Sequence, residues 1–125
     1  MDYDKYGDVT IVLVKDTVWC LQELARYKRS LFKGEVIAIT GSVGKTTTKD
    51  MVASILSEKY KVLKTEGNYN NHIGLPLTIL NYTLEDVMVV ELGMSHKGEL
   101  SLLSRIAKPT LSIITNVGTA HIGNL

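Results

Sequence analysis

Residues 36–48, VIAITGSVGKTTT, constrain this chain more than any other stretch. Val36, Ile37, Ala38, Ile39 and Thr40 are β-branched or small, a pattern that predicts a buried strand. A tight turn carrying Gly41 and Gly44 follows, and Lys45 with Thr46, Thr47 and Thr48 opens a helix. Strand, glycine turn, Lys-Thr and helix is the layout of a phosphate-binding loop. Glycines let the backbone curl until several N–H groups converge on one anion. The helix start adds unpaired N–H groups and a partial positive charge. Lys45 brings a full charge to the outer phosphates, and Thr46 offers a hydroxyl to a magnesium ion. The longer form of the motif has a further glycine where Ile39 stands; this chain has the shorter Gly41-x-x-Gly44-Lys45-Thr46. Such a string also occurs in ordinary strand-turn-helix corners, so the flanking strand and helix carry the reading.

The whole chain limits the function classes. At 125 residues it matches one small domain, and 45% hydrophobic with 22% charged residues describes a globular chain. Fourteen basic against thirteen acidic side chains leave +1, which gives no reason to expect nucleic acid or an anionic membrane as partner. The single Cys20 excludes an internal disulfide and a cysteine-based zinc site, and its helical spacing to Leu24 suggests a buried thiol. The opening MDYDKYGD has no apolar core and is no secretory signal, and no apolar run reaches membrane-spanning length. A cytoplasmic protein with no membrane insertion is the expectation.

In chain order, Val9–Val14 reads as a strand, and Asp16-Thr17 caps a helix running to about Phe32. That helix is expected to bury Val18, Leu21, Leu24, Ala25, Lys28 and Leu31 and to leave a solvated basic side with Arg26, Lys28 and Arg29. After the glycine turn, Thr46–Tyr60 reads as a helix with Met51, Val52, Ile55 and Leu56 as its core stripe. Lys61–Lys64 is a short strand, and 65–74 (TEGNYNNHIG) is a polar loop of the kind that turns in solvent or contacts a ligand. Leu75–Leu80 is a short helix with Pro76 near its start, Asp86–Leu92 a strand, Glu99–Ala107 a helix and Leu111–Thr115 the last strand. The order from residue 36 predicts an α/β fold, a parallel sheet with helices on both faces.

In such a sheet every strand's C-terminal end lies on one rim, where ligands bind. The glycine loop, the asparagine loop, Glu91 and His121 all fall there, although they are far apart in sequence. A glutamate closing an apolar strand is costly without a partner, and beside a triphosphate that partner is magnesium; a carboxylate turned to water is the alternative. For His121, spacing alone leaves open a loop histidine without a role. His72 and His96 are expected to be surface residues.

Four strings, TGSVGKTTTK, GNYNNHIGLPLTIL, VVELGMSHKGEL and ITNVGTAHIGNL, resemble in order and spacing the central ATPase domain of the Mur ligases. The second and third resemble the MurF type in particular. The resemblance implies an ATP-dependent ligase of peptidoglycan precursor synthesis, of the EC 6.3.2.10 class. Such an enzyme joins D-alanyl-D-alanine to UDP-MurNAc-tripeptide through an acyl phosphate. It also implies residue roles. Gly41, Ser42, Val43, Gly44, Lys45, Thr46 and Thr47 would cradle ATP, and Thr46, Glu91 and His121 would hold Mg2+. Lys45, Glu91 and His121 would be the catalytic residues, and Asn70 and Asn71 would meet substrate.

By the same resemblance, residues 1–33 are the end of an N-terminal domain with its connecting helix, and 34–125 the first part of the ATP-binding domain. The chain thus reads as a fragment, inactive alone, whose partner is the remainder of the ligase chain. The alternatives are another Mur-type or folylpolyglutamate-type ligase, against which the GNYNNHIGLPLT string argues, and a nucleotide-binding module without turnover.

Overall fold

A computed structural model describes residue 5 and residues 7–118. Among the described residues four helices and four strands alternate: α1 Thr17–Leu31, β1 Glu35–Thr40, α2 Lys45–Leu56, β2 Val62–Lys64, α3 Gly74–Leu80, β3 Val87–Glu91, α4 Glu99–Ala107 and β4 Leu111–Ile114. The strands form one parallel sheet in the order β2-β3-β1-β4. The expected α/β architecture is therefore the observed one. Among the described residues no helix is long and apolar enough to cross a membrane.

Side-chain alternation splits the sheet's two faces. Val36, Ala38, Met88 and Val90 point to one face, under Ala25 and Phe32 at α1, Leu75 and Ile79 of α3, and Leu103 and Ile106 of α4. Ile37, Ile39, Val87 and Val89 point to the other, under Ala53 of α2. Each fully buried leucine or isoleucine contributes roughly 1.5–3 kcal/mol, so the three-helix face holds most of the apolar stabilisation.

Four expectations need correction. Residues 9–14 form no strand, and Val9, Val12 and Leu13 are exposed. A strand is stabilised by its ladder, and no described strand runs beside this segment. Its β-branched run reads the same whether or not a partner lies alongside. The second correction is to α2, which ends at Leu56 and turns Met51 and Ile55 outward. It buries Lys49 and Ala53, with Val52 and Leu56 partly covered. Two apolar stripes overlap on this helix, and packing chose the one that carries a lysine.

Third, the basic run of α1 is solvated only in part: Arg26 is exposed as expected, but Lys28 and Arg29 are not. Arg29 is buried and donates to Ala107 O at 2.5 Å and Lys108 O at 2.6 Å, while Lys28 reaches Leu80 O at 2.7 Å. Leu24 and Leu31, expected to be buried, are exposed. Asp16 does cap the helix, accepting from Trp19 N–H at 3.0 Å. Fourth, Cys20 is only half-buried.

Candidate nucleotide site

The glycine turn joins the end of β1 to the start of α2. Gly41 lies in the glycine-favouring region at φ 139°, and a Cβ there would collide with the Thr115 hydroxyl. Gly44, at φ 83°, is the N-cap of α2 and supplies no capping side chain. The first N–H groups of the helix thus face outward without a cap. Lys45 folds over the turn, its Nζ donating to Gly41 O at 2.8 Å.

Residues 42–47 line a cavity of about 380 Å³ with two residues from elsewhere, Asn70 and Glu91. Larger hollows exist, such as one of about 580 Å³ along α2 at Met51 and Ile55. That one shares only Thr47 with the loop and has no buried charge on its wall, so chemistry rather than volume selects the site.

Glu91 ends β3 with its side chain 1% exposed, which rules out a carboxylate turned to water. Its N–H donates to Thr65 Oγ1 at 2.9 Å, and Asn70 Nδ2 approaches Oε2 at 3.4 Å. Lys49 Nζ lies 3.4 Å from Oε1 and donates to Thr65 O at 2.8 Å. Oε1 has no hydrogen-bond partner among the described residues. Glu91 lines a cavity beside phosphate-type N–H donors, and its Oε1, held only by the Lys49 ion pair, keeps hydrogen-bonding capacity. Hard cations take oxygen ligands, and magnesium in particular is held by one or two carboxylates plus phosphate oxygens and water. The donor set fits: Glu91 and the exposed Thr46 hydroxyl line the same cavity. Among the described residues no cluster of three or more His, Cys, Asp or Glu side chains is placed to hold a metal.

The other expected residues separate. Asn70 lines the cavity, and its carbonyl also accepts Gly93 N–H at 2.8 Å. Asn71 turns its oxygen to the start of α3, accepting Gly74 N–H at 2.7 Å and Ile73 N–H at 3.1 Å. His96 is exposed and pairs with the buried Glu99 at 2.9 Å. His121 lies outside the described residues. Sequence reasoning missed Lys49 and Thr65. Lys49 stands four residues after Lys45, one helical turn along the same face, and that spacing was the available signal.

A parallel sheet with a glycine turn between β1 and α2, and an acidic residue closing the neighbouring strand, defines an α/β domain of the phosphate-loop class. Comparison narrows the class. Residues 39–125 match the Mur ligase middle domain, and the chain belongs to that family. It is 50% identical over 116 residues to the UDP-N-acetylmuramoyl-tripeptide--D-alanyl-D-alanine ligase of Bacillus subtilis (strain 168), covering 92% of this chain and 25% of that enzyme. Among solved structures, it superposes on MurF from Acinetobacter baumannii with a TM-score of 0.86 at 44% identity, covering 94% of this chain and 27% of that one. MurF ligase from Thermotoga maritima, solved in complex with ADP, gives a TM-score of 0.83 at 43% identity, covering 93% and 27%. The chain thus spans about a quarter of the length of these relatives.

Proposed function

We propose that this segment supplies the ATP and magnesium site of a ligase that joins D-alanyl-D-alanine to UDP-MurNAc-tripeptide. In this reading residues 34–125 form the first part of the ATP-binding domain, and 1–33 lead into it from a preceding UDP-binding domain. The reaction belongs to the cytoplasm, where peptidoglycan precursors are made. The observation that carries the reading is Glu91, a buried carboxylate on the wall of the phosphate-loop cavity whose Oε1 is held by the Lys49 ion pair and by no hydrogen bond among the described residues. Identity to the Bacillus subtilis ligase supports the substrates, and the ADP complex of the Thermotoga maritima protein supports the nucleotide.

The first chemical step moves the γ-phosphoryl group of ATP to the terminal carboxylate of the tripeptide, giving an acyl phosphate and ADP. The amine of D-alanyl-D-alanine then attacks the acyl carbon, and phosphate leaves as the amide forms. Little covalent work falls to the protein in such a transfer; it positions groups and screens charge. The N–H groups that open α2 bind the phosphates at the end of the glycine turn. Lys45 leaves Gly41 O and turns to the outer phosphates, where negative charge shifts during transfer. Magnesium, held by Glu91, Thr46 and phosphate oxygens, would supply charge neutralisation at the transferring group. Asn70 steadies Glu91 from the asparagine loop. His121 is assigned to the magnesium site by the family resemblance, and Asn71 is retained as a substrate contact on the same ground.

Lys45→Ala tests the reading in a full-length ligase carrying this segment. Phosphate release with ATP, UDP-MurNAc-tripeptide and D-alanyl-D-alanine should fall on the order of a hundredfold or more. The melting temperature of the apo protein should move little, because Lys45 makes a single hydrogen bond to its own loop. Wild-type kinetics would end the phosphate-loop assignment.

A further inference from the structure

Residues 115–118, which follow β4, lie across the glycine turn. Thr115 Oγ1 donates to Val43 O at 2.6 Å, and Gly118 N–H donates to Ser42 Oγ. Between them, the Asn116 side-chain oxygen accepts from Ser42 N–H and from Val43 N–H, both at 3.1 Å. Ser42 N–H also reaches the Asn116 main-chain carbonyl at 3.0 Å. Successive N–H groups converging on one oxygen form the kind of concavity that takes an anion. Here the occupant is a neutral side chain of the protein itself. The absent Cβ of Gly41 allows this approach, since it would collide with Thr115 and crowd Asn116.

The loop's donors therefore fall into two sets. Ser42 and Val43 are committed to Asn116. The N–H groups of Lys45, Thr46 and Thr47, which open α2, make no backbone hydrogen bond among the described residues. A glycine turn without such an anchor would sample many conformations, and ordering it on binding would weaken affinity.

We infer that Asn116 is a positioning residue of the phosphate site. Its carboxamide fixes Ser42 and Val43, so that the helix-start donors and Lys45 are aimed at the phosphates while Ser42 and Val43 N–H do not touch them. The inference rests on the nucleotide-site reading above and divides a loop that the motif treats as one cradle. The opposite role, a plug that phosphate must displace, uses the same atoms but reverses the sign of the effect.

The experiment titrates a full-length ligase carrying this segment with ADP and magnesium by calorimetry, alongside an apo melting curve and KM for ATP. Asn116→Ala should weaken ADP binding about tenfold, the scale expected when hydrogen bonds that order a binding loop are removed. Its effect on KM for ATP should exceed that on kcat. Asn116→Asp keeps both acceptor positions, so its melting temperature should stay near wild type. Its ADP affinity should nevertheless fall at least as far, because a negative charge is then placed directly behind the glycine turn, on the Ser42 and Val43 N–H groups. A merely structural asparagine would leave Asn116→Asp with wild-type affinity, and that result overturns the proposal. So does Asn116→Ala binding ADP as well as or better than wild type. If Asn116→Ala does not fold, Asn116→Asp decides alone. Lys45→Ala runs in parallel: unchanged ADP binding there means the phosphate-loop reading itself is wrong. Loss in Lys45→Ala with none in the Asn116 variants removes only this inference.

Discussion

Arg29 and Lys49 are both basic heads carried inward by helices, one on each face of the sheet. Arg29 rests among carbonyl oxygens, those of Ala107, Lys108 and Phe32. It stitches the end of α1 to the end of α4, and burial pushes its guanidinium below the ordinary value. Lys49 rests among carboxylates instead, 3.4 Å from Glu91 and 3.4 Å from Asp50, with Thr65 O as its one carbonyl. The difference lies in what remains undone. The Arg29 donors are engaged by carbonyls, and its neighbourhood is closed. Beside Lys49, one Glu91 oxygen is still without a hydrogen bond among the described residues, and the residue lines a cavity. Buried charge on the three-helix face holds helices together, whereas on the α2 face it holds a functional carboxylate in place.

The largest effect that could break this contrast is Lys49→Met. Removing one partner of a buried pair leaves the other uncompensated, so unfolding free energy should drop by about 3–5 kcal/mol. Adding Glu91→Gln should recover much of that loss, since the stranded charge is then gone. Chemical denaturation of the single and double variants checks both statements. Equal losses in both would mean that the pair is not coupled.

Arg29→Met should cost less, about 1–3 kcal/mol for carbonyls left without donors. It should leave KM for ATP and kcat unchanged in a full-length ligase carrying this segment. A shift in nucleotide affinity from this variant would erase the distinction between the two faces.

The smallest effect concerns Asp50. The hydrogen bond from Lys64 holds its exposed carboxyl below the usual carboxylate value, with Lys49 adding to the same direction. A depressed folded value means that its contribution is present above the ordinary carboxylate pKa and is lost as pH falls through the folded one. Asp50→Asn should therefore lower stability slightly at neutral pH and flatten the acid limb of the stability curve. An acid limb identical to wild type would show that the Asp50 contacts carry no stability.

Much of the fold was legible because continuous apolar strands and capped helices are local signals. α4 was read to its exact ends, and β1 and β3 to within a residue. The glycine turn was legible for the same reason. Residues 9–14 were not, because strand character depends on a ladder partner that the sequence does not display. The phase of α2 was not either. Met51 and Ile55 offer an apolar stripe as good as the real one, and only tertiary packing turns Lys49 toward Glu91. Glu91 itself is visible as an odd residue at the end of an apolar run, but its partner Lys49 lies outside the apolar stripe by which α2 is phased in the sequence. Asn116 was hidden differently. It lies more than 70 residues from the turn it anchors, and nothing local distinguishes it from a loop asparagine.

The most direct test of the account is the magnesium dependence of Glu91→Gln in a full-length ligase carrying this segment. A neutral amide keeps the shape of the side chain and loses the charge that a hard cation requires. Turnover at limiting magnesium should fall on the order of a hundredfold, with ATP affinity measured without metal changing far less. Wild-type turnover at limiting magnesium would contradict the account and return Glu91 to the role that Arg29 plays, a buried charge that serves only the fold.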